Sequence, residues 1–309
     1  MIAAPAGAWA QTGAATPGFY FEAEGQRVFG ASDFDAGLAP DLSLLTLHTL
    51  TRDEGDGFGG ALVLGYAWGN AWRASLGYRR LEAATGGGPM EPYVIAFVPS
   101  IDLADGGIPF DLFDVLTRVE SRTSLVDLLA GTQIAVAAGR LEVFGGLSYA
   151  RVDRDITLVD CDCSGLAVHY GSTFDGVGPK LGFRGGFPIG GGVQLVGRGS
   201  VAVLFGQSEF RNSLSQPDGF GLPVVPVTDK DGRTVGAFDA EAGLAFGIGA
   251  GTLTVGYRVD AWLGALDSDQ RVSADLRDLG MPAIGDKRDD LVEHGPFVRF
   301  AAPLAGVSD

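Results

Sequence analysis

Residues 173–206 read TFDGVGPKLGFRGGFPIGGGVQLVGRGSVAVLFG. Val177, Leu181, Phe183 and Phe187 recur on one side of a two-residue rhythm, with Lys180 and Arg184 on the other. After a glycine knot at Gly190, Gly191 and Gly192 the rhythm resumes. Val193, Leu195, Val201, Val203 and Phe205 now alternate with Gln194, Arg198 and Ser200. Alternation of period two is the mark of a β-strand, and two such runs joined by a Gly-rich turn predict a hairpin. Its apolar face has to be covered, either by a second sheet or by lipid. The rest of the chain decides which.

The protein has 309 residues, 46% hydrophobic and 19% charged, and its 49 Gly are about twice the ordinary share without a collagen-like period. No run reaches the roughly 18 uninterrupted apolar residues of a spanning helix. A formal net charge of −16 argues against nucleic acid as a partner. Three His and two Cys are too few for a multi-ligand zinc framework. No cofactor is expected. At the start, MIAAPAGAWA carries Ala8-Trp9-Ala10, the small-x-small pattern that precedes signal-peptide cleavage. Residues 1–10 are therefore expected to be the remnant of a signal peptide, 11–300 a single barrel domain and 301–309 a C-terminal tail.

Ten strands are predicted: 18–29, 57–68, 71–81, 124–136, 140–158, 173–189, 193–210, 235–248, 252–266 and 291–300. Tight turns at 69–70, 137–139, 190–192 and 249–251 alternate with long connections at 30–56, 82–123, 159–171, 211–234 and 267–290. Short turns on one side and long loops on the other describe an outer-membrane barrel, and an even count leaves both termini at the periplasmic end. Runs of this length exceed the usual ~5–6 residues of globular strands. Trp68, Trp72, Tyr149, Phe187 and Phe205 stand near run ends, where interfacial aromatic girdles lie. The fold class is thus all-β: one antiparallel transmembrane barrel of about ten strands with short periplasmic turns and long outer loops. The segment 90–118 is too apolar for a free loop. It is expected to plug the barrel, cover its rim, or form an extra hairpin that raises the count to twelve.

Strand phase then sorts the charges. Glu22, Glu24, Asp127, Glu142, Asp239, Glu241, Asp260 and Glu293 fall on the lumen side, with Arg73, Arg79, Lys180, Arg184, Arg198, Arg258 and Arg299 as basic counterparts. These numbers nearly balance, so the net negative charge belongs mostly to the loops. Two arrangements fit. Either the charges pair across a filled lumen, as small barrels allow, or they line a narrow wet pore with a basic strip on the sixth and seventh strands.

ALVLGYAWGNAWRASLGYRR (61–80), LEVFGGLSYARVDRDI (141–156), FDGVGPKLGFRGGFPIGGGVQLVGRGS (174–200), VGYRVDAWLGA (255–265) and EHGPFVRF (293–300) together resemble the Legionella-type major outer membrane protein family. FGGLSYARVDRD and FDGVGPKLGFRG are the more specific parts. The resemblance implies a pore-forming barrel in the outer membrane of a Gram-negative bacterium and carries no catalytic residue. The ending departs from the common barrel pattern, because AAPLAGVSD follows Phe300 in place of a terminal aromatic.

The expected function is passive diffusion of small polar solutes, in contact with outer-membrane lipid and lipopolysaccharide. The alternative is a structural or adhesion barrel with a side-chain-filled lumen and no flux. An enzyme is not expected, because His48 and His169 lie in separate outer loops without an adjacent carboxylate–hydroxyl set. Acidic loop clusters such as 53–56 and 286–290 lack calcium-loop spacing and are expected to be solvated. Cys161 and Cys163, separated by one residue in an exported chain, are expected to form a strained loop disulfide.

Overall fold

The computed structural model describes residues 17–32, 35–41, 46–51, 55–68, 71–85, 91–99, 107–136, 139–160, 167–215, 227–269 and 286–304. The expected signal-peptide remnant (1–10) and Cys161–Cys163 lie outside the described residues.

Thirteen strands form one antiparallel sheet: β1 (Gly18–Ser32), β2 (Asp35–Asp41), β3 (Thr46–Thr51), β4 (Gly55–Ala67), β5 (Trp72–Ala84), β6 (Glu91–Pro99), β7 (Gly107–Val136), β8 (Gly139–Asp160), β9 (Ala167–Gly190), β10 (Val193–Ser215), β11 (Val227–Ile248), β12 (Gly251–Asp269) and β13 (Asp286–Pro303). Ten of them, β1, β4, β5 and β7 to β13, close into a barrel through the β7–β8 and β1–β13 pairings. No helix among the described residues is long and apolar enough to cross a membrane. The predicted hairpin at 90–118 exists as β6 paired with the start of β7. It stands outside the ring with the β2–β3 hairpin, so the barrel itself stays at ten strands.

Paired residues can be followed once round the ring. From Gly30 the path runs through Glu293, Asp260, Asp239, Ser200, Gly182, Phe144, Gly131, Arg73 and Ala67, and it returns to β1 at Gly18. The register is thus displaced by 12 residues (30 to 18) per circuit. Ten strands with this stagger tilt by about 40° and enclose an interior only slightly wider than that of barrels filled by side chains.

The outward face explains why the sheet closes around nothing but its own lumen. Leu62, Leu128, Leu147, Leu181, Val201, Phe205, Tyr257 and Val298 are exposed to the surroundings, as lipid-facing side chains must be. Trp68, Trp72, Tyr149, Phe187 and Phe205 are likewise exposed along the edges of this band. Gly190, Gly191 and Gly192 take φ of 107°, 62° and 79°, a left-handed run closed to side-chain-bearing residues, and it reverses the chain between β9 and β10. Both barrel ends meet at the same rim, where Tyr20 pairs with Pro303 and the Leu304 amide donates to the Phe19 carbonyl at 2.8 Å.

The strands run further outward than the sequence pattern predicts. β7 begins at Gly107 and not near 124, and β8, β9, β10 and β11 likewise extend beyond their expected outer ends. Past the lipid band the outward face turns to Arg151, Asp153 and Asp155 on β8, so apolar alternation stops while the ladder continues. At the other end β13 continues through Pro303, three residues beyond Phe300.

Candidate functional site

Among the described residues, the lumen holds charged side chains away from solvent in number. Every lumen residue read from strand phase lies inside the barrel. Among the described residues seven carboxylates, Glu22, Glu24, Asp127, Glu142, Asp239, Glu241 and Asp260, face seven cations, Arg73, Arg79, Lys180, Arg184, Arg198, Arg258 and Arg299. Each comes from a strand whose pleat turns alternate residues inward, so i, i+2 pairs such as Glu22 and Glu24, or Asp239 and Glu241, stack along the axis.

The pairs cross the lumen. Arg79 forks onto Asp260, with Nη2 to Oδ1 at 2.7 Å and Nη1 to Oδ2 at 3.2 Å. Lys180 Nζ lies 3.0 Å from Asp127 and 3.1 Å from Asp239, which also takes a hydrogen bond from Ser200. Arg299 and Arg258 both bridge Glu24 and Glu241, with Arg299 Nη1 at 2.7 Å from Glu241 Oε1. Nearer the periplasmic end Arg184 spans Glu22 at 3.3 Å and Glu142 at 3.2 Å, and Arg73 reaches Glu142 at 3.5 Å. Phe144 and Phe297 serve as flat supports, with Arg198 5.1 Å from the first ring centroid and Arg299 4.9 Å from the second. Gly182 allows the first of these: a Cβ there would come within 2.5 Å of the Phe144 ring.

Below this lattice, at the periplasmic mouth, is a cavity of about 420 Å³ lined by Gln133, Arg140, Arg184, Gln194, Val196 and Arg299 among others. A separate void of about 50 Å³ lies among the paired charges themselves. Above the lattice the lumen turns apolar. Further along the same inward face come Val28, Leu81, Leu125, Leu204, Trp262 and Leu291, each at most 5% exposed. Trp262 donates to Glu293 at 3.3 Å, which places the eighth predicted carboxylate in this layer and not in the lattice. Higher still are the buried pairs Arg154–Asp289, 3.2 Å apart, and Arg233–Asp267.

Strand phase did not extend to this apolar layer. The signal was nonetheless in the sequence: Leu204 continues the Arg198, Ser200, Ala202 phase, and Leu125 continues that of Asp127. The expected basic strip of Lys180, Arg184 and Arg198 is present on β9 and β10, but each member is neutralised by a carboxylate from another strand. His169 lies on the outer wall between Thr157 Oγ1 at 3.2 Å and Ser215 Oγ at 3.1 Å. No group of three or more metal-ligating side chains occurs among the described residues.

With this geometry established, the relationships are informative. A family model described as Legionella pneumophila major outer membrane protein precursor matches residues 113–302. The chain belongs to that family. As a Legionella-type major outer membrane protein it resides in the outer membrane of a Gram-negative cell. No curated protein matches its sequence. Among solved structures it is similar to the outer membrane protease OmpT from Escherichia coli, with 10% identity over 93% of this chain and 97% of that one at a TM-score of 0.51. It also matches the toluene transporter TodX from P. putida (10% identity, 94% and 91% coverage, TM-score 0.35). A third match is a major outer membrane protein from Thermus thermophilus (13% identity, 93% and 99% coverage, TM-score 0.34). At such identities the likeness to OmpT concerns the barrel fold alone.

Proposed function

We propose that this barrel is a pore-type protein for small polar solutes whose lumen is shut at rest. The observation that carries the proposal is the half-channel: a cavity of about 420 Å³ opens from the periplasmic mouth and ends on a charge-balanced lattice. A polar wall of this kind suits water and small polar solutes. Its seven-to-seven balance favours neutral or zwitterionic solutes over either sign of ion. Transit requires the paired side chains and the Trp262–Leu204 layer to move aside.

The apolar layer specifically favours a second reading, a structural barrel without flux. Buried Leu and Val side chains give no hydrogen bonds to a passing solute, and the Trp262 N–H is already donated to Glu293. Solute-driven swelling of proteoliposomes separates the two readings. Wild-type protein is expected to pass a small neutral amino acid slowly, and Trp262→Ala with Leu204→Ala is expected to speed it severalfold while retaining a heat-modifiable band on gels. Fast swelling with wild type would contradict the shut lumen. No swelling with either form would leave the structural reading.

A further inference from the structure

The outward wall above the lipid band is charged, with the exposed pairs Arg27–Asp56 and Arg80–Glu82 on β1, β4 and β5 and a denser group on β7 to β11. Arg118 and Arg122 on β7, Arg151 on β8, Arg211 on β10 and Lys230 on β11 project from it with side chains 50–65% exposed. Three of their carboxylates sit deeper. Glu120 is 27% exposed, Asp153 25% and Glu209 21%, and they hold the cations at 2.5 Å (Arg118–Glu120), 2.8 Å (Arg151–Asp153), 2.7 Å (Arg211–Glu209) and 3.0 Å (Lys230–Glu209). Two further carboxylates stand level with the cations, Asp175 (41% exposed) 3.9 Å from Arg151 and Glu82 (51% exposed) 4.0 Å from Arg122, so the belt presents interleaved charges of both signs. Each guanidinium is oriented from behind and has N–H donors left for a partner in front. Strand pairing makes the surface continuous: Arg122 is opposite Asp153, Ser124 opposite Arg151, Thr173 opposite Glu209, and Glu209 opposite Lys230. Directly beneath it on the same strands are the exposed apolar side chains Val126, Tyr149, Val177 and Phe205.

We infer that this belt is a docking surface for a phosphate-bearing amphiphile of the outer leaflet, a phosphorylated glycolipid. Its acyl chains would lie along the apolar band of β7 to β10 and its phosphates on Arg118, Arg122 and Arg151. The exposed guanidinium donors and the continuity of the belt with the lipid-facing wall select this occupant: a soluble anion would use the cations but leave the wall beneath them idle. A phosphate accepts paired N–H bonds from guanidinium in a way that a neutral headgroup does not. The deeper carboxylates would repel that phosphate, so divalent cations are expected to strengthen binding by sitting between them.

The test uses the full chain refolded in detergent with Mg²⁺, titrated with diphosphorylated lipid A, with the same lipid stripped of phosphate, and with inorganic phosphate. The readout is the temperature at which the folded gel band disappears. Phosphorylated lipid is expected to raise that temperature and the other two to leave it nearly unchanged. Arg118→Gln with Arg122→Gln and Arg151→Gln is expected to weaken the lipid response about tenfold, as three part-exposed charged contacts would. The corresponding Lys triple should keep most of the response, and Arg288→Gln, outside the belt on β13, should keep all of it. Equal stabilisation by the dephosphorylated lipid would overturn the proposal in favour of the apolar wall alone. Equal stabilisation by inorganic phosphate would reduce the belt to a free-anion site. An undiminished response in a folded Gln triple would remove these arginines from the site. If that triple does not fold, the wild-type titrations and the Lys triple still decide.

Discussion

At the residue scale the lumen charges depend on one another more than on the backbone. Arg79 and Asp260 are both about nine-tenths buried or more and share two hydrogen bonds, so neither has water to fall back on. Arg79→Leu would strand the carboxylate in a dry lumen, and removing one partner of a buried pair costs about 3–5 kcal/mol. Urea unfolding in lipid vesicles should show a loss of that size, with Arg79→Leu, Asp260→Leu together losing less than the single change. Outside the membrane band the charges titrate. Burial, with Asp153 adding to it, pushes the Asp155 carboxyl above its ordinary range, whereas hydrogen bonds from Lys230 and Arg211 hold Glu209 below its own. The signs are opposite. A raised carboxyl contributes stability at low pH that is lost as pH climbs through its folded value. A lowered one contributes stability at neutral pH that is lost as pH falls through its folded value. Asp155→Asn should therefore stabilise the barrel at neutral pH and make no difference in acid. Glu209→Gln should destabilise it at neutral pH, again with the difference vanishing in acid. Unfolding midpoints across pH check both.

At the scale of strands, phase decides everything. Val201 faces lipid at 55% exposure, and Gln207, six residues on along the same face of β10, has left the apolar band. Val201→Arg should cost roughly 2–4 kcal/mol, the penalty for a cation near the bilayer midplane, while Gln207→Arg should be close to neutral. Equal costs in vesicle refolding would mean that the band is misplaced. This is also where the sequence was most legible. Within lipid, one face must be apolar and the other polar, so alternation marks both strand and facing, and Lys180 against Leu181 could be sorted unaided. Above the lipid that contrast ends: Arg151 points to water while Val152 points into the lumen, and the longer reach of β7 to β11 left no periodic signal. Which carboxylate meets which cation was not readable either. Lys180 meets Asp127 and Asp239 across 53 residues in one case and from a strand two places away in the other, a matter of stagger.

At the scale of the whole molecule, ten strands with a stagger of 12 leave a lumen that their own side chains can close. The closure has two materials in sequence along the axis: paired charges through the middle, then an apolar layer around Trp262 and Leu291 nearer the outer rim. Composition foretold the first, since opposite charges were nearly equal on the lumen phase. The second lies within the predicted strands on the same inward phase, as Leu204 and Leu125 show, but only the charged residues of that phase are sorted by sign. On the proposed reading the cavity at the periplasmic mouth ends on this closure, and family membership points to an outer-membrane barrel. The direct measurement is single-channel current of the purified, refolded protein in a planar bilayer. The wild type should stay shut for most of the record with brief openings of little ion preference, and Trp262→Ala with Leu204→Ala should lengthen those openings. A steady ohmic current from every wild-type insertion would contradict the account, because a lumen sealed by the Arg79–Asp260 lattice and the Trp262 layer has no open path to carry it.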